Sequence, residues 1–535
     1  MYNKMAGKLT KRKKKWIERT IKNDRSNKRF LYNRFYVFIL LVLGQLCLYG
    51  YFLYGFAYNS SVALIIQVSM GALSLVCVLY LINRTDKPST RLNWIIFILV
   101  FPLVGAPMYL LYGDARSNWK LRRKIEDATR ENRRVYQETY GETPISKPQT
   151  RADGIQTYLS CVAQYPTFQN GDVTYYESGE KMFSQMLDAL RKAKKFILVE
   201  YFIIEHGKMW GEILKILLEK AEEGVQVRVL YDDFGCMLKL PPKYDRYLQS
   251  LHENVRATSF NKVVPIFSVK MNNRDHRKIL VVDGEVAFTG GVNLADEYIN
   301  ERSKLGHWKD TGLKITGDAV SSFTLMFFNL FNAVREDKED IKNYLLPRKS
   351  ALDKGALKIV PYDDSPLDKI SVGETVYLDL IQRAKKYVYV FTPYLVLDDT
   401  MRGALCLAAL RGVDVRIVTP GIPDKKTVYR LTRANYGVLM QAGVKIYEYT
   451  PGFIHAKSML CDGESAVVGT INLDYRSLYL HFENAVYFTG EAVKALEEDC
   501  QKTFTASRLC TKDDVKRGVV GRVFDSALRV FETLL

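Results

Sequence analysis

The chain has 535 residues, 47% of them hydrophobic, and a formal charge of +18; that length holds more than one domain and a sizeable core. The charge would suit nucleic acid, but residues 1–150 carry 25 Lys and Arg against 9 Asp and Glu, a balance of +16 that leaves +2 for 151–535. Basic charge beside apolar segments suits anionic lipid headgroups and argues against nucleic acid as a partner of the globular part.

Residues 1–34 hold 13 Lys and Arg, including KRKKK, and read as a basic cytoplasmic arm. No charge falls between Phe35 and Asn83, or between Asn93 and Gly113. The first stretch predicts two helices over about 35–56 and 62–82, within a membrane anchor spanning 35–115. The third apolar segment, 93–113, contains Pro102, Gly105 and Pro107, which disfavour a continuous helix. Basic flanks on both sides place both ends in the cytoplasm. That predicts a re-entrant or interfacial hairpin; three full spans with an external catalytic part are the alternative.

A basic and polar linker is expected over 116–155, and then the pattern turns α/β. KKFILVEYFII (194–204) and VQVRVLYDDFG (225–235) read as strands around a helix over 209–224. The second half repeats this: AKKYVYVFTPYL matches AKKFILVEYFII, and RGVDVRIVTPG matches EGVQVRVLYDD. A duplicated unit of roughly 180 residues predicts two α/β lobes, over 156–345 and 356–535. At the C-terminus, VGRVFDSALRVFETLL has one apolar helical face, expected to pack on its lobe. The eight cysteines show neither zinc-type spacing nor a dense disulfide framework, and read as reduced thiols.

The duplication carries chemistry. DHRKILVVDG (275–284) and IHAKSMLCDG (454–463) share His-x-Lys-x4-Asp, followed in both by x6-Gly-(Gly/Thr)-x-Asn. Chance gives on the order of 0.03 matches to the first part of this pattern. Each copy reads as two strands joined by an Asp-Gly turn, with His276 and Lys278, or His455 and Lys457, on one face. A neutral imidazole beside a cation suits attack on phosphorus, and displacement at a phosphodiester needs a nucleophile and an acid on opposite sides. Two lobes supply both, so the reading is one composite site. One histidine becomes a phosphohistidine while the other acts as acid and then base. Lys278, Lys457, Asn293 and Asn472 are the expected phosphate-binding groups. No metal or cofactor is called for. Asp283 and Asp462 belong to the motif, but each precedes a turn glycine, so turn-making competes with catalysis as their role; for Asn293 and Asn472 phosphate contact is the favoured reading and strand-end capping the alternative. His206, His252, His307 and His481 fall outside the motif and read as solvent-facing or satisfied core residues.

These paired motifs resemble the phospholipase D superfamily. With the apolar N-terminal hairpin, NNRDHRKILVVDGEVAFTGGVNLADEY and GFIHAKSMLCDGESAVVGTINLDYRS resemble bacterial cardiolipin synthases most closely. The resemblance implies two pseudo-symmetric phospholipase D-like lobes, each a mixed sheet flanked by helices, on a transmembrane helical anchor. It implies that two phosphatidylglycerols become cardiolipin and glycerol at the cell membrane, with the lobes facing the cytoplasm. It further implies that carboxylates orient the histidines, at Asp310 in GHWKDTG and Glu483 in HFENAV. The sequence leaves open which carboxylate serves which histidine. The resemblance points to His276 as the nucleophile, although pseudo-symmetry leaves the two roles exchangeable. A hydrolytic phospholipase D and a membrane scaffold without activity are the alternative functions.

Overall fold

A computed structural model describes residues 60–84, 87–112, 119–141, 154–263, 272–348, 357–368 and 370–516, with a few isolated positions besides. The basic arm 1–34 and nearly all of the expected first span, 35–56, lie outside the described residues. The chain divides into two compact units: residues 1–115 with 234–244 and 263–271, and residues 116–233 with 245–262 and 272–535.

In the first unit, helix α1 (Ser60–Ile82) covers the second expected span. The third apolar segment forms two helices, α2 (Pro88–Val100) and α3 (Pro102–Tyr112), with the break at Phe101. Pro102 opens the second of these, where its missing N–H costs least. Gly105 then brings the two backbones together: a Cβ there would lie 2.6 Å from the Ile98 Cα. Cys77, Leu81, Ile98, Ala106 and Tyr109 close a small core. At 13 and 11 residues, α2 and α3 are each too short to cross a bilayer core of about 30 Å. Among the described residues no helix is long and apolar enough to cross a membrane.

The second unit begins with a correction to the linker. Residues 119–140 form helix α4 (Trp119–Tyr140). Ile125, Ala128, Asn132 and Tyr136, spaced by three and four, form its buried face. That face lies on a helix of the first lobe, Val320–Val334, where Asn132 Nδ2 donates to Asn329 Oδ1 at 3.1 Å.

Each lobe is a mixed sheet, and the two sheets share one strand order. In the first, β1 (Val173–Tyr176), β2 (Phe196–Tyr201), β3 (Gln226–Asp232), β4 (Val255–Phe260), β6 (Lys278–Val282), β7 (Val286–Gly290) and β9 (Gly312–Thr316) are arranged β1-β9-β7-β6-β2-β3-β4. In the second, β10 (Ile359–Asp364), β11 (Tyr387–Phe391), β12 (Asp414–Pro420), β13 (Lys445–Tyr449), β15 (Ser458–Cys461), β16 (Ser465–Gly469) and β17 (His481–Thr489) follow as β10-β17-β16-β15-β11-β12-β13, with β18 (Ser507–Leu509) added at the edge. The repeated segments thus occupy matching strands: β2 and β11 each lie between a parallel neighbour and the antiparallel motif strand.

The remaining short strands cross between lobes. β5 (Arg274–Asp275), just before the first motif, pairs in parallel with β17 of the second lobe. β14 (Gly452–Ile454), just before the second motif, pairs in parallel with β8 (His307–Lys309) of the first. One apolar core also runs across both lobes: Ile279, Val281 and Leu313 of the first cluster with Leu460, Val468 and Val486 of the second, around the buried Phe323, Phe327 and Phe331 of the Val320–Val334 helix. At the C-terminus, most of the expected helix lies outside the described residues, but Arg430 Nη2 donates to Gly521 O at 3.1 Å, in line with packing on the lobe.

The β14–β8 crossing depends on a backbone approach that only glycine permits. A Cβ at Gly452 would lie 2.4 Å from His307 O and 2.5 Å from its N. Gly452→Ala is therefore expected to destabilise the protein by about 1–3 kcal/mol, the usual cost of overpacking, read as a lower urea midpoint at unchanged m-value.

Candidate active site

Both motifs are hairpins, as their spacing predicts. Asp283 and Asp462 sit at φ 54° and 53°, and Gly284 and Gly463 at 71° and 70°, the left-handed pair that a two-residue turn requires. The turn explains the two aspartates. Asp283 accepts hydrogen bonds from the backbone N–H groups of Lys194, Lys195 and Phe196 at 2.7–2.9 Å. Asp462 accepts the equivalent three from Lys385, Lys386 and Tyr387, each at 2.8 Å. The repeated Ala-Lys-Lys before β2 and β11 is the other half of this clamp. Strand β6 separates Lys278 from Asp283 by about 16 Å at ~3.3 Å per residue, so the structure does not bring these aspartates to the histidines. That departs from their expected place among the catalytic groups.

The crossing strands settle which carboxylate meets which histidine. His276 N–H donates to Phe482 O at 2.9 Å, and its Nδ1 lies 2.8 Å from Glu483 Oε2. His455 N–H donates to Lys309 O at 2.7 Å, and its Nδ1 lies 2.7 Å from Asp310 Oδ2. Each motif histidine is thus oriented by a carboxylate of the other lobe, in a reciprocal exchange. The lysines fold back beside them: Lys278 Nζ donates to His276 O at 2.6 Å, and Lys457 Nζ to His455 O. With Nδ1 held by a carboxylate, Nε2 is the nitrogen of each ring available to a substrate.

The two half-sites differ at the Gly-Gly and Gly-Thr positions. A Cβ on Gly291 would lie 1.9 Å from Asp310 Oδ1, so the shorter carboxylate occupies the space a side chain would need. In the second lobe Thr470 stands there, and its hydroxyl donates to Glu483 Oε2. Asn293 Nδ2 donates to Tyr298 OH at 2.7 Å while its Oδ1 accepts from Ile203 N–H at 3.0 Å. Asn472 Nδ2 donates to Ser477 Oγ at 2.9 Å. Both asparagines are thus anchored within their own lobes beside the motifs.

Sequence reasoning missed several neighbours. The ring of Tyr298 lies 5.3 Å from that of His455, and Trp308 5.5 Å from it. His481 is not a bystander: its ring lies 5.4 Å from His276. Arg277, between the first histidine and lysine, points the other way into the core. It donates to Glu200 and Met326 O of its own lobe and to Asp363 Oδ2 of the other, at 2.6–2.9 Å. No signal short of the tertiary contacts marks these residues.

Burial dominates the electrostatics. It pushes His276 well below its usual range, with Lys278 adding to the effect. Burial and Lys457 lower His455 to about 4, against the pull of Asp310. Burial brings Lys278 down to about 8 and Lys457 to about 7. The carboxylates diverge. Burial lifts Glu483 well above the usual range, despite Lys278. Burial would lift Asp310 too, but His455 and Lys457 outweigh it and hold Asp310 low. The two motifs form one electrostatic neighbourhood, since His455 and Lys457 act on His276 and Lys278 acts on His455.

Known proteins share the sequence pattern and the fold. Residues 186–307 and 377–506 match the family described as cardiolipin synthase, PLD-like domain, and residues 72–113 match a phospholipase D-nuclease N-terminal family. An uncharacterized protein of Streptococcus mutans is 42% identical over 82% of this chain and 95% of its own length. A cardiolipin synthase of Alkalihalophilus pseudofirmus is 34% identical over 79% of this chain and 84% of its own. Among solved structures, a phosphatidylserine synthase from Haemophilus influenzae shares the fold, with a TM-score of 0.55 and 15% identity over 72% of this chain and all of that one.

Two measurements test the site. Asp283→Ala removes three hydrogen bonds to a charged acceptor and is expected to cost about 2–4 kcal/mol in urea unfolding, with the specific activity of the folded fraction within a few-fold of wild type. Lys457 takes up its proton near pH 7 when folded and near 10.5 when unfolded, so the unfolded chain binds more protons between those values. The contribution of Lys457 to stability therefore rises with pH across that window. Lys457→Met is expected to be the more stable protein at pH 7, by about 2–4 kcal/mol, with the advantage shrinking towards pH 10; a gap that widens with pH contradicts the shift.

With two matched motifs, a common fold and these identities over most of both chains, the protein belongs to the cardiolipin synthase family of phospholipase D-like proteins.

Proposed function

We propose that the protein is a membrane-bound phosphatidyltransferase that makes cardiolipin and glycerol from two phosphatidylglycerols. The observation that carries this reading is the pair of crossed histidine–carboxylate contacts, each beside a buried lysine. The names and identities of its relatives supply the lipid substrate class.

The half-sites divide the work by their electrostatics. His276 is neutral beside a raised Glu483 and suits the nucleophile. Its Nε2 lone pair attacks phosphorus, and the bond to the leaving glycerol oxygen breaks. The phosphate anion of the bound lipid favours a proton on His455; as an imidazolium backed by an ionised Asp310, His455 protonates that oxygen from Nε2. Glycerol departs, leaving a phosphatidyl group on His276. His455, now neutral, takes the proton from a hydroxyl of the second phosphatidylglycerol, whose oxygen attacks phosphorus and releases His276. Lys278 and Lys457 neutralise the charge that develops on the phosphoryl oxygens, and Asn293 and Asn472 contribute amide hydrogens. Water in place of the second lipid would give hydrolysis to phosphatidic acid.

Membrane attachment is part of the same reading. The first unit exposes Ile65, Val68, Leu75, Leu79, Leu99 and Leu110, an apolar surface suited to lipid. The α2–α3 hairpin has the length of a re-entrant element, and the basic flanks favour lobes that face the cytoplasm.

The test is detergent-purified protein with phosphatidylglycerol as sole lipid. Cardiolipin and free glycerol in equal amounts are expected; phosphatidic acid as the only product overturns the transferase reading. His276→Ala and His455→Ala are each expected to lower turnover by at least about 10⁴-fold, as for members of a unit that act together.

A further inference from the structure

His481 occupies a position that the transfer reaction does not explain. It stands two residues before Glu483, as Trp308 stands two residues before Asp310. Each ring lies against a motif histidine, His481 5.4 Å from His276 and Trp308 5.5 Å from His455. The indole completes an apolar wall with Tyr298 and Phe453. The imidazole puts two more nitrogens into the site, and both are buried with no hydrogen-bond partner.

A buried polar atom without a partner is costly, and His481 has a third companion. Glu483 Oε2 is taken by His276 and Thr470, while Glu483 Oε1 is buried and also without a hydrogen-bond partner, 3.5 Å from His481 Nδ1. One donor atom from each of His276, His481 and Glu483 lies within 4.8 Å of the others. Two imidazoles and one carboxylate are a zinc-type ligand set, with one tetrahedral position left for water.

The surroundings select the kind of metal. The charges of Arg476, Lys278, Arg274 and Lys425 all act on His481, so any divalent ion meets repulsion. Magnesium or calcium, held chiefly by charge and oxygen ligands, gains little here. A first-row metal that bonds imidazole nitrogen is favoured. Coordination through His276 Nδ1, the nitrogen now held by Glu483, moves the ring proton to Nε2, which then has no lone pair for phosphorus. If His276 is the nucleophile, as proposed above, metal occupancy and turnover exclude each other.

We infer that His276, His481 and Glu483 form a binding site for one zinc-class metal ion per chain, and that its occupancy inhibits the enzyme. The second half-site, with Trp308 in the matching place, lacks the third ligand.

Cobalt(II) added to the full chain in detergent reads the site directly, apart from activity. The expected result is one equivalent bound with visible bands of a four-coordinate nitrogen–oxygen site, without the thiolate charge-transfer band that binding at cysteines would give. His481→Asn is expected to weaken binding by at least about 10–100-fold, the range for losing even an outer-shell partner. His481→Phe, which places a flat ring as Trp308 does, is the second variant should the first fail to fold. Zinc is expected to raise the melting temperature of wild type and to inhibit it, with EDTA reversing both, and to do neither in the variants. Absence of these bands in wild type, or their survival in a folded His481 variant, overturns the site. Metal binding without inhibition leaves the site standing and counts against His276 as the nucleophile.

Discussion

Everything in the catalytic unit turns on the exchange of carboxylates between lobes. In the proposed reaction a histidine presents Nε2 to phosphorus and needs Nδ1 held; neither lobe holds its own. β5 and β14 leave their sheets to reach the opposite lobe, and each places the motif histidine within 2.8 Å of a carboxylate there. The shared apolar core and the buried Arg277 hold the lobes in the register that this contact requires. A slip of one residue in either crossing strand would turn the histidine to the wrong face.

The site is also held in an expensive state. Two imidazoles, two ammonium groups and two carboxylates are buried together, and burial shifts most of them away from their charged forms. Such groups favour function over stability. The surrounding structure offsets the cost elsewhere, most visibly at the hairpin turns, where each motif aspartate gathers three backbone N–H groups.

The duplication, the sheets and the motif hairpins were legible in the sequence because each rests on local pattern: period-two alternation, an Asp-Gly turn, a repeated Ala-Lys-Lys. The histidine–carboxylate partners were not, since they lie 207 and 145 residues apart and nothing local distinguishes the crossed pairing from the uncrossed one. Asp283 and Asp462 misled because a turn residue and a catalytic residue are spelled the same way in a motif. Helix α4 did carry a signal, in Ile125, Ala128, Asn132 and Tyr136, but its density of charge resembled a solvated tether. His481 gave none, being one histidine outside the motif whose neighbour in space comes from the other lobe.

The glycine at 291 and the threonine at 470 show what joining the two halves in one polypeptide makes available. Two identical half-length chains could assemble the same crossed contacts about a true two-fold axis, but every change on one side would then be copied on the other. A fused chain is free of that constraint, and its second half is always present at high effective concentration. One side can shorten its acid to aspartate and open space with glycine while the other keeps glutamate and braces it with a hydroxyl. Fusion thus leaves the halves of a symmetric scaffold free to specialise, in the proposed reaction one towards attack and the other towards proton transfer.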